Sequence, residues 1–420
     1  MKEVNDNDNK GIFKRITAIV MSIFFSFSQN GADVTFGSTL SDINNHKYPK
    51  MTVEENVNFR QVANSYSDFN YVGNQIISLE DIFSTPVGEE ICDTMVPQGL
   101  EIVDGLILIS AYDGIDGYKN ELVLHSYNRE NKDELERQRN HKTHNSVIIV
   151  LDQQTKEILT TIELPDINHV GGIAVDNDRV YIAKSMDKEL SVISLDKIKE
   201  AVKLSKTINA KSYKVEYDDH LDCGVEASFV TIRKRRNCNN QVVIGTWHPF
   251  PNNSNLRIYN LTDEGKLELS QNILVNSSAN GATFIERDGQ EYLILACSLG
   301  RVLNSNLIVY NVKENNQGII NLEKKTNLEL PPMIEEIAEY ETEDGKRMLA
   351  IGTECFTKRY KIGSGRYIPK GIMIADLNAV LDWVSKNKTS NIHYYEDAIL
   401  PNKIEIGHGK ERDEEEDIDK

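Results

Sequence analysis

The sequence predicts an all-β chain closed into a ring: a β-propeller of five blades, each of four antiparallel strands. Two observations carry that reading. Three short phrases recur in the same order five times, and from the second copy onward the spacing between copies settles to 54 or 55 residues. Turns rich in Asn, Asp and Gly separate the phrases, and few segments show a strong helical period.

The first phrase is "QGLEI" from Gln98, and it returns as "GGIAV" (Gly171), "EASFV" (Glu226), "NGATF" (Asn280) and "EEIAE" (Glu335). It passes through a small residue in four of five copies and then turns apolar. Counted on this phrase the intervals are 55, 54 and 55 residues, after a first interval of 73 swollen by an insertion, Asp113 to His144. The second phrase is a continuous apolar run ending on small residues: "LILISAY" (Leu106), "RVYIAKS" (Arg179), "QVVIGTW" (Gln241), "EYLILACS" (Glu291) and "RMLAIGTE" (Arg347). Such a run suits a strand covered on both faces. The third is "SVIIVLD" (Ser146), "LSVISLD" (Leu190), "NLRIYNLTD" (Asn255), "NLIVYNVKE" (Asn306) and "GIMIADLNA" (Gly371), each with alternate apolar residues. A fourth strand is expected in "EILTTIELP" (Glu157), "LEKKTNLELP" (Leu322) and "HYYEDAILP" (His393).

Four-stranded units with two apolar faces cannot bury both alone, so stacking them around an axis forms the core. Ring closure is expected from "YVGNQIISLEDIF", Tyr71 to Phe83, as the missing outer strand of the last blade. If that stretch opens a further blade instead, the ring has six.

The stretch "SVIIVLDQQTKEILTTIELP", with "HVGGIAVDNDRVYIA" (His169 to Ala183) behind it, resembles the repeat of secreted bacterial YVTN-type β-propellers. There a strand ending in Asp, a polar turn containing Thr and a strand ending near Pro recur once per blade. The resemblance covers roughly Gln98 to Pro401, with one good copy and four degenerate ones. It implies a propeller fold and export, and names no chemistry.

The chain has 420 residues, 40% hydrophobic and 27% charged, with a net charge of −18. The acidic balance argues against a nucleic-acid partner, which needs a basic face. Lys10, Lys14 and Arg15 precede the apolar "ITAIVMSIFFSFS", Ile16 to Ser28, too short to span a bilayer and suited to a signal-peptide core. The expected organisation is therefore a signal peptide over 1–32, a polar linker over 33–70, the propeller over 71–401 and an acidic disordered tail over 402–420. The mature protein is expected to be secreted, without an integral membrane span. Five scattered cysteines form no Cys-x-x-Cys pair; Cys223 and Cys238 are the one pair placed to bridge a loop.

In a propeller the innermost strands line a central channel, so polar residues where the first phrase begins converge at its mouth. Aligning the copies puts Gln98, Gly171, Glu226, Asn280 and Glu335 at one level, with His169 two residues before Gly171 and Glu336 in the small-residue position. Gln98, Glu226, Asn280 and Glu335 offer oxygen ligands that suit Ca²⁺. Glu226 and Glu335, with His169, are the candidate catalytic groups. The insertion breaks EF-hand spacing, and His141 and His144 read as surface residues. No nucleophile elbow, P-loop or His-Glu-x-x-His motif occurs. Two functions follow. One is an extracellular binding protein that engages a protein or glycan through one face and the 113–144 loop. The other is a metal-dependent hydrolase or lyase that takes a small molecule at the channel mouth. Whether the chain is an enzyme stays open at this level.

Overall fold

A computed structural model describes residues 53–114, 143–185, 187–208, 211–236, 238–301, 303–360, 367–383 and 404–405. The chain divides into two units, Met1–Lys47 and Tyr48–Lys420, and the described residues belong to the second.

Strand β1 (Gly73–Ser78) is followed by a short hairpin, β2 (Thr85–Val87) and β3 (Glu90–Cys92). Blade 1 then consists of β4 (Met95–Val103), β5 (Leu106–Asp113), β6 (Val147–Asp152) and β7 (Ile158–Glu163). Blade 2 is β8 (Gly172–Asp176), β9 (Arg179–Ala183) and β10 (Glu189–Ser194). Its outer strand is not the next in sequence, because β11 (Ser212–Lys214) pairs in parallel with β7 of blade 1, and β12 (Asp219–Asp222) pairs with β10. Blade 3 is β13 (Phe229–Arg233), β14 (Gln241–Thr246), β15 (Ser254–Leu261) and β16 (Leu267–Val275). Blade 4 is β17 (Ala279–Arg287), β18 (Gln290–Cys297), β19 (Ser305–Glu314) and β20 (Ile320–Leu330). Blade 5 is β21 (Ile334–Glu341), β22 (Arg347–Thr353) and β23 (Gly371–Asp376), completed by β1. A two-residue strand, β24 (Ile404–Glu405), adds to β16.

The ring therefore has five blades. Its core shows the same number: five apolar clusters, each filled by two neighbouring sheets. In β5, Ile107 and Ile109 face blade 5 while Leu108 faces blade 2, so the continuous apolar run serves two cores at once. The cluster that joins Ile77, Ile372 and Ile374 of the last blade to Met95, Ile107 and Ile149 of the first is the closure. Tyr71 to Phe83 thus supplies the missing outer strand, as the repeat count requires.

Helices depart from expectation. Residues 53–70, read as polar linker, carry α1 (Val53–Ser65) and most of α2 (Ser67–Val72). Phe59, Val62, Ala63 and Tyr66 recur at the helical interval and pack with Phe69 and Val72 onto blades 4 and 5. The polar composition between those positions hides this stripe. A third helix, α3 (Leu195–Ile208), follows β10 and buries Leu195, Ile198, Ala201 and Val202 against blade 1 residues. The short α4 (Leu377–Asp382) is capped by Asp376, whose carboxylate accepts from Ala379 N at 3.0 Å.

"HYYEDAILP", the expected signal peptide and nearly all of the acidic tail lie outside the described residues. Among the described residues no helix is long and apolar enough to cross a membrane. All five cysteines are free thiols, so Cys223 and Cys238 do not pair; Cys238 is exposed and the others are buried.

Candidate functional site

Each inner strand pairs with the second strand of its blade, and this register fixes which residues meet at the channel. Leu100 pairs with Ile109, Ile173 with Ile182, Val230 with Ile244, Ala282 with Leu295 and Ile337 with Ile351. Two residues before each inner-strand member stand Gln98, Gly171, Ser228, Asn280 and Glu335. In blades 1, 4 and 5 that position falls in a bulge, which turns its side chain out of the ladder.

Gln98, Gly171, Asn280 and Glu335 thus stand at equivalent positions, and blade 3 is shifted by two residues. Glu226 is exposed and precedes the inner strand; Ser228 occupies its expected place. Glu226 therefore does not stand at the level of Gln98, Asn280 and Glu335. The small-residue position is likewise Phe229 rather than Ala227.

Gln98 and Asn280 do converge with Glu335, through a residue the phrase comparison missed. Glu354 Oε2 accepts from Gln98 Nε2 at 2.7 Å, and Glu335 Oε1 accepts from Asn280 Nδ2 at 3.1 Å. The two carboxyls are hydrogen-bonded to each other, so a continuous chain Gln98–Glu354–Glu335–Asn280 crosses blades 1, 5 and 4. Both glutamates are buried. Burial raises the pKa of each, and the neighbouring Glu354 charge raises that of Glu335 further, so that the pair holds a proton between its members. Gln98, Arg359 and Arg301 oppose the rise at Glu354, and Asn280 opposes it at Glu335.

Glu354 lies three residues beyond Ile351, and the corresponding positions are Tyr112, Ser185, Trp247 and Ser298. These line the mouth above the first ring. Their signal in the sequence was the end of the second phrase, where Tyr112, Trp247 and Glu354 break a run of small residues. The Tyr112 ring stacks on His169 at 4.5 Å between centroids, and its hydroxyl is 3.0 Å from that of Tyr360. Arg359 lies over both tyrosine rings, at 5.1 and 5.0 Å, and Arg301 lies 5.0 Å over Tyr360. Arg301 also donates to the carbonyl of Arg359. His169 Nδ1 is 3.0 Å from Ser185 Oγ, and burial followed by the Arg359 charge pushes its pKa down to about 4, so it stands neutral.

One layer deeper, Glu336 fills the channel where three other blades have Gly99, Gly172 and Gly281. A Cβ on Gly172 would stand 2.6 Å from Glu336 Oε2, and one on Gly281 2.9 Å from Oε1, so glycine is what lets this carboxyl cross the axis. Its Oε1 accepts from Ala282 N at 3.2 Å, and burial raises its pKa well above the usual range. Glu101 is the next acidic group, raised to about 7 by burial while accepting from Ile102 N and Val175 N.

The same end of the ring gathers apolar exposure. The loops that leave second strands and those that enter first strands all open on the mouth face. Ile91, Ile167, Trp247, Phe250 and Tyr367, all exposed, belong to those connections. The insertion, the other expected recognition element, lies outside the described residues between 115 and 142.

No family model and no curated protein matches the chain. Similar solved structures include the Kuenenia stuttgartiensis hydrazine synthase, at 11% identity and a TM-score of 0.33 over 63% of this chain and 57% of that one. A nidogen/laminin complex gives 12% and 0.35 over 64% and 80%, and a Myxococcus xanthus glutaminyl cyclase gives 11% and 0.35 over 67% and 90%. This chain spans little more than half of the hydrazine synthase chain. None of these likenesses carries a function across, and the YVTN-type resemblance rests on the quoted residues alone.

Proposed function

We propose that the protein is an extracellular binding protein that receives a polyhydroxylated ligand, a glycan or a glycan-bearing partner, on the mouth face of the ring. The observation that carries this reading is the hydrogen-bonded chain Gln98–Glu354–Glu335–Asn280 at the floor of a mouth walled by Tyr112, Tyr360 and Trp247. Its amides, carboxyls and guanidinium groups supply both donors and acceptors to hydroxyls. Trp247, the exposed aromatic of the three, suits the apolar face of a sugar ring. A cation fits less well: the amide nitrogens are turned toward the carboxylates, and Arg301 and Arg359 already act on Glu354. The Ca²⁺ reading therefore ranks second for this mouth. Export of the chain, carried by Ile16 to Ser28, belongs to the same proposal.

A glycan-array screen of the full chain, followed by calorimetric titration of the best binder, tests it. Binding lost in both Glu354→Gln and Tyr112→Ala variants that fold supports the site. Binding untouched by either, or no glycan retained at all, defeats it.

Catalysis is the second reading, and one observation favours it. Glu335 and Glu354, two buried carboxyls in contact and both raised by burial, hold a proton between them and form a pair suited to proton transfer. Turnover of the bound glycan, abolished by Glu335→Gln with affinity retained, would establish it.

A further inference from the structure

Outside the channel mouth, three side chains of different donor chemistry meet in a buried cluster at the edge of blade 1. Cys92 ends β3, Asp113 ends β5, and His144 leads into β6, so the cluster joins the hairpin to both ends of the insertion. One donor atom from each, a sulfur, a carboxylate oxygen and a ring nitrogen, lies within 4.8 Å of the others, and all three residues are buried. His144 Nδ1 is 2.9 Å from Asp113 Oδ2, and Asp113 also accepts from His144 N at 3.2 Å. On the other side of the imidazole, Nε2 is 3.1 Å from Glu90 Oε2, on a side chain that is 55% exposed. Thr94 Oγ1 donates to Asp113 Oδ1 at 2.6 Å and is 3.3 Å from Cys92 Sγ.

We propose that Cys92, Asp113 and His144 hold a zinc-class divalent cation that fastens the insertion to the ring. Thiolate, imidazole and carboxylate together are the donor set of zinc. Calcium and magnesium want oxygen alone, and iron–sulfur clusters want thiolates. The spacing is near what is needed, since ligand atoms each about 2.0–2.3 Å from one ion stand roughly 3–4 Å apart, against 2.9 Å between His144 Nδ1 and Asp113 Oδ2 and at most 4.8 Å across the cluster. The outer partners are in place as well. Glu90 holds the far nitrogen of His144 and fixes the ring, as carboxylates do behind histidine ligands, and Thr94 steadies Asp113. Binding releases the Cys92 thiol proton to solvent and leaves the ion bound by a thiolate, the Asp113 carboxylate and Nδ1 of a neutral imidazole whose proton stands on Nε2 toward Glu90. The site is separate from the acid pair at the channel mouth and does not rest on the function proposed for it.

The sequence alone could not show this cluster. Its members are scattered over 53 positions, from Cys92 to His144, with no local motif, and only the blade topology brings them together.

Metal analysis of the purified full chain, equilibrated with zinc and then gel-filtered, is the test. One equivalent retained by the wild type and by Glu335→Gln, and less than a tenth of it by Cys92→Ser, is the expected result. Cobalt substitution of the wild type provides a reading that needs no variant to fold. A thiolate-to-cobalt charge-transfer band with tetrahedral absorption supports the site. A wild type that retains no zinc and gives no such band overturns it, as does zinc retained in full by Cys92→Ser.

Discussion

The ring of Phe229 occupies the space in which a side chain at position 245 would stand. A Cβ on Gly245 would lie 1.9 Å from Cζ and 2.0 Å from Cε1 of that ring, and the two residues are paired across β13 and β14. Blade 3 thus places a large residue where blades 1, 2 and 4 have glycine, and removes the facing side chain to accommodate it. Gly245→Ala is expected to destabilise the protein by about 1–3 kcal/mol, the usual range for overpacking a filled core. Phe229→Ala alone leaves a cavity and costs about 3–5 kcal/mol. The double variant should be more stable than the sum of the two, because the inserted methyl then has room. Denaturant unfolding of the four proteins measures the coupling, and strict additivity would show that the contact does not constrain the pair.

That same exchange explains what the sequence hid. The second and third phrases could be aligned because their strands are buried on both sides, and burial admits few residue types. The innermost strand of blade 3 broke its own rule at Phe229, and comparison by small residues slid the phrase by two, onto Ala227. Glu226 entered the channel on that error. Glu354 was passed over for a related reason. It follows a strand whose counterparts end in Ser, Tyr or Trp, and departures of that kind at a channel mouth are the positions to inspect. Helix α1 was hidden by Asn and Gln on its outer face, although Phe59, Val62, Ala63 and Tyr66 hold the helical interval. The cluster of Cys92, Asp113 and His144 depends on contacts between strands, which no spacing rule reports.

Closure by β1 gives a second prediction. A chain beginning at Gly73 loses α1 and α2 but keeps the fourth strand of blade 5, while a chain beginning at Leu79 leaves β23 with an unpaired edge. The first should remain monomeric with a lowered melting temperature, because Phe59, Phe69 and their neighbours each forfeit about 1.5–3 kcal/mol of burial. The second should form high-mass species by size exclusion with light scattering, since an exposed edge templates pairing between chains. Equal monomer yields from both would remove β1 from the closure role.

A buried cation ties blade 3 to blade 4 away from the mouth. Arg233 donates through Nε and Nη2 to the two carboxylate oxygens of Glu291, at 2.7 Å each, and also to Glu314 at 2.5 Å and to Gln241 at 2.9 Å. Its side chain is 3% exposed, whereas the glutamates keep about a quarter of theirs. Arg233→Met fills the space and leaves two facing carboxylates. The expected loss is about 3 kcal/mol, at the lower end for a broken buried pair because water reaches the glutamates. Triple replacement of Arg233, Glu291 and Glu314 by Met, Gln and Gln should recover most of it. Urea unfolding with no difference between wild type and Arg233→Met would refute the assignment.

The channel acids and His169 act on the pH dependence of stability in opposite senses. Glu101 stands at about 7 in the folded chain against an ordinary 4.5, and burial moves Glu335, Glu336 and Glu354 in the same direction. A carboxyl raised on folding contributes stability that is fully present below pH 4.5 and is lost as pH rises through about 7, because the unfolded chain ionises first. His169, lowered from 6.5 to about 4, works the other way: its contribution is present above pH 6.5 and is lost as pH falls toward 4. The two windows overlap between pH 4.5 and 6.5, where the several raised carboxyls outweigh the one imidazole, so melting temperature should fall as pH rises from about 4.5 to 7. Glu101→Gln removes one titrating group, so its curve should cross that of the wild type, lying higher at pH 8 and level or lower at pH 5. His169→Gln removes the one opposing contribution, so its fall between pH 4.5 and 6.5 should be steeper than that of the wild type. Parallel melting curves for Glu101→Gln and wild type from pH 4.5 to 8 would mean that the carboxyl ionises freely in the folded protein. The acidic column would then be a hydrated channel lining rather than a set of proton-holding groups.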